Sequence, residues 1–308
     1  MTRVKNYLSL VKFSHTIFAM PFAMIGFFLG MFSSRHWSLP LDAEGSTDFT
    51  TLLYRERVLK FILVVLCMIT ARSAAMAFNR YLDKNFDAKN PRTAIREIPA
   101  GIISANSALR FVIFNCIAFL ICSWFINKVC FLLSPVALFV ILFYSYTKRF
   151  TALCHLVLGL GLSLAPIGAY LAVTGAFDIL PVLFSFAVLF WVSGFDIIYA
   201  LQDVDFDRAQ KLYSIPSVLG KQKALHVSEL LHFFSASLVI TIGLIAGFGW
   251  IYWAGVAVFT GMLIYQHSIV KPTDLRRVNL AFMTANGIAS VVFAIFVIAD
   301  LFVEYRIP

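Results

Sequence analysis

Two stretches place carboxylates at matching intervals: Asn79-Arg80-Tyr81-Leu82-Asp83-Lys84-Asn85-Phe86-Asp87 and Tyr199-Ala200-Leu201-Gln202-Asp203-Val204-Asp205-Phe206-Asp207. Asp83 and Asp203 are 120 positions apart, and so are Asp87 and Asp207. At the helical angle of about 100° per residue, Arg72, Asn79, Asp83 and Asp87 share one stripe. Asp196, Asp203 and Asp207 share another, with Tyr199 beside it and Asp205 on the solvated side. Four carboxylates facing one another in a low-dielectric cleft repel strongly, so something cationic is expected between them. The six histidines are scattered and the five cysteines form no C-x-x-C pair, which argues against zinc or a disulfide framework. Oxygen-only ligands favour Mg²⁺ or Ca²⁺. Mg²⁺ uses one or two carboxylates, several waters and substrate phosphates, so aspartates on two helices suit Mg²⁺ bridging to a diphosphate. Lys148, Arg149, Arg92 and Arg208 are placed to take the remaining phosphate charge. Lys148 ranks first, because its loop is only a few residues long.

Two more charges lie inside apolar runs: Arg72 within 61–78 and Asp196 within 190–198. An arginine at the centre of a membrane helix costs about 2.5–3.5 kcal/mol on insertion scales. Such residues usually face a protein cavity and serve function. Arg72 stands about 16 Å along the helix from Asp83, too deep to snorkel with ease.

The elements that must position these residues are membrane helices. The chain has 308 residues, 60% hydrophobic and 13% charged, with a mean hydropathy of +0.85; a soluble domain carries about 25% charged residues. The expected fold is an all-α polytopic bundle, a single domain over 1–308, with both aspartate motifs at cytoplasmic helix ends. Apolar runs of spanning length fall near 14–33, 58–83, 108–127, 130–146, 152–174, 179–201, 225–247, 249–270 and 278–303, which makes about nine. The first is read as a membrane helix and not a signal peptide, being long and lacking an A-x-A-like site. The net charge of +9 sits in short loops between these runs, so no nucleic acid is expected. Basic residues concentrate in 84–107, 147–151, 202–224 and 271–277, which puts those loops and the N-terminus in the cytoplasm. Segment 34–57 is expected to be the longest external loop. Each aspartate motif is followed two helices later by a basic turn, 146–149 and 272–277, as in two four-helix units plus one helix.

At these residues the chain resembles the UbiA superfamily of intramembrane prenyltransferases. The likeness rests on N-x-x-x-D-x-x-x-D at Asn79–Asp87, on Asn90-Pro91-Arg92-Thr93, Arg96, Pro99 and Gly101, on Tyr199-x-x-Gln202-Asp203-x-x-x-Asp207, and on the basic loop Lys148-Arg149-Phe150-Thr151. It is greatest to the 4-hydroxybenzoate polyprenyltransferase branch, although Arg80 stands where the more familiar ubiquinone enzymes have aspartate. The resemblance implies a bundle of nine spans around a cavity open to the cytoplasm, with a lateral opening for a long isoprenoid. It implies that Asn79, Asp83, Asp87, Asp203 and Asp207 hold Mg²⁺-diphosphate and that Lys148 assists the departing diphosphate. Arg72 would bind an aromatic acid, and Asp196 and Tyr199 would stabilise a cation or position the acceptor.

The expected reaction is Mg²⁺-assisted ionisation of an allylic diphosphate, with Asp83, Asp203 and Lys148 at the reacting end, followed by attack of an aromatic carbon. The expected partners are a polyprenyl diphosphate, a small aromatic acid and the bilayer, in the inner membrane of a bacterium. Two acceptors are in view: 4-hydroxybenzoate, or an aromatic acid of a futalosine or naphthoate route to menaquinone. A membrane transporter is the reading from another class. A soluble-type prenyl chain synthase does not fit nine spans.

Overall fold

The structure, a computed structural model, describes residues 3–11, 20–33 and 47–304, with only the backbone of 3–4 and 47–54. Among these the named elements are all helices: α1 (Arg3–Leu10), α2 (Met20–Phe32), α3 (Thr47–Leu82), α4 (Lys84–Lys89), α5 (Ala105–Ile126), α6 (Lys128–Thr147), α7 (Cys154–Thr174), α8 (Ile179–Ala200), α9 (Val204–Ala209), α10 (Ile215–Leu219), α11 (Lys221–Ala246), α12 (Trp250–Ile269) and α13 (Val278–Leu280). A π-helical turn, Ala281–Ala285, then leads into α14 (Asn286–Glu304).

Among the described residues seven helices are long and apolar enough to cross a membrane, fewer than the nine runs read from the sequence. The other two runs are also helical. Described α2 has 13 residues, and the rest of the run that begins near 14 lies outside the described residues. Helix α12 has 20 residues, but Gly255, Gly261, Gln266 and His267 dilute its hydropathy. The expected external loop 34–57 is shorter than read: α3 begins at Thr47, and its 36 residues extend about 54 Å, well beyond the roughly 30 Å hydrocarbon core. Residues Asp42, Glu44, Gly45 and Ser46 of that loop lie outside the described residues.

Local sequence sets the breaks. Asn127 separates α5 from α6: its Oδ1 accepts the Cys130 amide (2.8 Å), and its Nδ2 donates to the Leu171 carbonyl (2.8 Å). Gly175 and Gly247, both with φ of +66°, end α7 and α11 in the left-handed conformation that glycine adopts without strain. The core gathers around Trp191, with Phe22, Phe259, Phe293 and Tyr252 fully buried. Buried serines join α11 to α8, Ser228 donating to the Gly194 carbonyl (2.7 Å) and Ser235 to the Ala187 carbonyl (2.8 Å). Such small polar residues let helices approach closely in a membrane. Gly159 does the same for α7 and α8: a β-carbon there would lie 2.4 Å from Ser193 Oγ and 2.5 Å from the Leu189 carbonyl oxygen.

Candidate active site

The two motif helices finish beside each other on one cavity of about 290 Å³. Helix α3 closes at Leu82, but the i to i−4 pattern continues through Asp83 N to Asn79 O (2.9 Å) and Asp87 N to Asp83 O (2.7 Å). Asp87 therefore stays in register with Asp83 along α4. On the opposite wall α8 tightens into a 3₁₀ turn, Leu201–Asp203, before α9. This turn brings Asp203 and Asp207 to the same cavity. Asp205 points away and is exposed.

Eleven of the residues singled out from the sequence line this space: Arg72, Asn79, Asp83, Asp87, Arg92, Lys148, Arg149, Asp196, Tyr199, Asp203 and Asp207. Arg208 does not; its Nε donates to the Ser217 carbonyl (2.8 Å). The second basic turn, 272–277, is also absent from the lining, and its Arg276–Asp274 pair is surface-exposed.

The electrostatics differ from the expectation that an added cation must separate the carboxylates. Each aspartate already has a basic partner from the chain. Arg149 Nη2 reaches Asp83 Oδ1 (2.8 Å), Arg96 Nη1 meets both Asp87 oxygens (2.8 and 2.9 Å), and Arg92 grips Asp203 through Nε (3.1 Å) and Nη2 (2.5 Å). Lys148 Nζ lies 2.8 Å from Asp207 Oδ1. That ammonium is in ion-pair contact but off the hydrogen-bond direction, so the buried Oδ1 accepts no hydrogen bond, while Oδ2 accepts from Ser214 Oγ (3.0 Å). Asn90 Nδ2 adds a bond to Asp203 (3.3 Å), and Asn79 Nδ2 one to Asp83 (3.2 Å).

Burial pushes the Asp83 carboxyl up to about 6, with the Asp87 charge adding to the rise and Arg149 and Lys148 opposing it. Burial works against the Lys148 ammonium, but Asp207 more than compensates and its pKa is raised.

Among the described residues no three His, Cys, Asp or Glu side chains converge into a metal cage. The donor set is instead two pairs of carboxylates on facing walls, with one buried oxygen free of hydrogen bonds. This fits a hard ion that draws most of its ligands from water and phosphate, as Mg²⁺ does, and not a resident zinc.

At the deep end stand Arg72, Tyr144, His155 and Asp196. Arg72 makes no hydrogen bond or ion pair with the described residues, and its Nε is buried without an acceptor. Tyr144 lies within electrostatic reach of Arg72, Asp83 and Asp196. His155 Nδ1 is 2.6 Å from Asp196 Oδ2. A second cavity of about 390 Å³, almost wholly apolar, shares Arg72, Met76, Tyr144, Leu158 and Leu162 with the first.

Tyr144, His155, Phe282 and the partner role of Arg96 escape a reading of the sequence alone. Tyr144 was within reach of one: it stands one helical turn before Lys148. His155 is a polar residue entering an apolar run, the same signal that marked Arg72. Phe282 had none. It reaches the cavity because a π-helical turn displaces it, and it packs on Tyr199 with centroids 4.3 Å apart. Asn286 donates to the Ala281 (3.2 Å) and Phe282 (3.1 Å) carbonyls within that turn.

The family model described as the UbiA prenyltransferase family matches residues 19–288, most of the chain. The protein is a member of the UbiA prenyltransferase family. It is thus an enzyme, and the transporter reading falls. Over 259 residues it is 31% identical to the 4-hydroxybenzoate octaprenyltransferase of Nitrosospira multiformis, covering 84% of this chain and 86% of that protein. It is 30% identical to the protein of the same name from Tolumonas auensis, with 84% and 87% covered. A UbiA homologue from Aeropyrum pernix superposes with a TM-score of 0.75 at 29% identity, covering 94% of this prenyltransferase and 98% of that chain. A homologue from Archaeoglobus fulgidus, solved with DMAPP and Mg²⁺, shares the fold with a TM-score of 0.69 at 20% identity, covering 97% and 99%.

Proposed function

We propose that this prenyltransferase moves a polyprenyl group from polyprenyl diphosphate to a small aromatic acid of the 4-hydroxybenzoate kind, in respiratory quinone biosynthesis. The observation that carries the acceptor class is Arg72, whose guanidinium makes no hydrogen bond or ion pair with the described residues at the deep end of the cavity. A carboxylate is the group that fills such a fork with two charge-assisted bonds. The names of the Nitrosospira and Tolumonas relatives support the same class.

The chain's residues divide the work by depth. Asn79, Asp83, Asp87, Asp203 and Asp207 would hold Mg²⁺, which when bound neutralises charge developing on the leaving diphosphate. Arg92, Arg96, Lys148 and Arg149 exchange their carboxylate partners for phosphate oxygens as the donor binds. The adjoining apolar cavity receives the isoprenoid past Met76 and Leu158, and its dry lining keeps water from the allylic carbon. Arg72 holds the acceptor's carboxylate, so that the ring lies between the guanidinium and the allylic carbon. Tyr199 and Phe282 present aromatic faces to the developing positive charge. Asp196 receives the proton that the ring loses. The basic loops at the motif end favour a cytoplasmic site, in a bacterial inner membrane with the N-terminus inside.

Arg80 favours a second acceptor. It is buried and paired with Glu97 (Nη1 to Oε2, 3.1 Å), so the first motif has a guanidinium where the familiar ubiquinone enzymes have a carboxylate. A futalosine-route or naphthoate acid also carries the carboxylate Arg72 requires. The test supplies membranes containing the protein with Mg²⁺, a polyprenyl diphosphate and a panel of both acid types. Transfer to one acid names the acceptor, and Asp83→Asn and Asp203→Asn are expected to abolish it. Full activity in those two variants defeats the metal assignment.

A further inference from the structure

His155 has no part in the chemistry above, yet it is buried, only 2% exposed, beside the cavity. Its two ring nitrogens have different partners. The Ile215 backbone N–H donates to Nε2 (3.3 Å). A backbone amide can only donate, so Nε2 carries no proton. Nδ1 therefore carries the proton of a neutral ring and donates it to Asp196 Oδ2 at 2.6 Å. The backbone beneath the ring is also fixed, since Ser193 Oγ donates to the His155 carbonyl (3.1 Å).

Asp196 thus has one oxygen engaged, while the other makes no hydrogen bond with the described residues. The carboxylate shares its cavity with the unpaired Arg72. Opposite charges in a low-dielectric space attract strongly, and an unrestrained Asp196 would be drawn towards that guanidinium. Such a pair would occupy both the group that grips the acid and the group that takes the proton. On the far side of the ring, Ile215 belongs to a fastened segment. Ser214 Oγ donates to Asp207 Oδ2 (3.0 Å), and the Tyr213 amide donates to the Lys148 carbonyl (2.8 Å).

We propose that His155 is a positioning residue that holds the Asp196 carboxylate ready for the ring proton and away from Arg72, and that segment 213–215 ties this placement to Asp207 and Lys148. The inference rests on the aromatic-acceptor reading. In the step it serves, the allylic C–O bond breaks with its electron pair going to the diphosphate, and a ring carbon forms the new C–C bond. The hydrogen on that carbon leaves as a proton to the unbonded oxygen of Asp196. Its C–H electrons return to the ring, and the proton then passes to water.

The test compares His155→Leu with His155→Gln in membranes supplied with Mg²⁺, polyprenyl diphosphate and the accepted aromatic acid. Glutamine carries an acceptor oxygen and a donor NH₂ on a single amide, so it can meet both Ile215 and Asp196, whereas leucine offers neither. The leucine variant is expected to lose about 100-fold in kcat, with the KM for polyprenyl diphosphate within about twofold of wild type. The glutamine variant is expected to recover to within about tenfold. In an Asp196→Asn background, His155→Leu should change kcat by less than about twofold, because the two residues act as one unit. Undiminished kcat in the leucine variant, a loss confined to diphosphate KM, no rescue by glutamine, or multiplicative losses in the double variant would each overturn the inference. If the leucine variant does not fold, the same comparison is read in His155→Asn, whose amide is one methylene too short to meet both partners. Failure of the wild type to prenylate any aromatic acid defeats the acceptor reading instead.

Discussion

Replacing Arg72 by methionine should improve the empty enzyme and damage the working one. The guanidinium lines two cavities and has no acceptor among the described residues, with Nε buried. An unsatisfied buried polar group costs about 1–3 kcal/mol, and more when charged. Methionine keeps most of the side-chain length and removes that cost, so Arg72→Met should raise the melting temperature of ligand-free protein in detergent. The acceptor's carboxylate loses a charge-assisted fork. At about 1.5–3 kcal/mol for each hydrogen bond to a charged group, the two bonds come to at least about 3 kcal/mol, which is about 100-fold or more in affinity at about 1.4 kcal/mol per decade. Initial rates at varied aromatic acid, with saturating polyprenyl diphosphate and Mg²⁺, should show KM for the acid rising about 100-fold while KM for the diphosphate holds. A variant that melts lower and loses diphosphate affinity, with acid KM unchanged, would refute the assignment of Arg72 to the acceptor.

Three further outcomes follow from the same geometry. Asp83 titrates near 6 because of burial, so Mg²⁺ binding, which needs the carboxylate, should weaken as pH falls through about 6. Its folded pKa is raised, so its own contribution to stability is complete below about 4 and lost as pH rises through about 6; thermal shifts between pH 4 and 8, with and without Mg²⁺-pyrophosphate, should show these opposite trends. Gly159→Ala forces a β-carbon to 2.4 Å from Ser193 Oγ and should destabilise the protein by about 1–3 kcal/mol, read as a lower melting temperature in detergent. Arg80→Ala strands the buried Glu97 and should cost about 3 kcal/mol or more; it should also raise KM for the diphosphate, because segment 90–96 carries Asn90, Arg92 and Arg96 to the site.

The membrane helices and the acidic ends of two of them are legible in the sequence because hydropathy and four-residue spacing are local properties. Arg72 and Asp196 are legible for a related reason: a charge inside an apolar run is conspicuous wherever the chain later folds. The pairing of each aspartate with its own cation is not legible. Three of the four partnerships, Arg149–Asp83, Arg92–Asp203 and Lys148–Asp207, join residues more than 50 positions apart. The stripe logic also presumed that the carboxylates face one another bare, whereas loop 90–96 and turn 148–149 fold in between them. The start of helix α3 is hidden because Arg55, Glu56 and Arg57 read as the end of loop 34–57; hydropathy locates the part of a helix inside the membrane, not the part that projects beyond it. Phe282 depends on an irregular turn that no regular periodicity encodes.

Arg80 has a further consequence through Ser9. The Ser9 hydroxyl donates to Glu97 Oε1 (2.5 Å) while Arg80 holds the other oxygen, so α1 is latched to the motif helix through a residue 88 positions downstream. In a chain made from its N-terminus, α1 is synthesised long before its acceptor exists. The latch can close only once α3 and segment 90–104 have also been made. Synthesis in chain order thus allows the wall bearing Asp83 to be secured to α1 before the wall bearing Asp203 has been made.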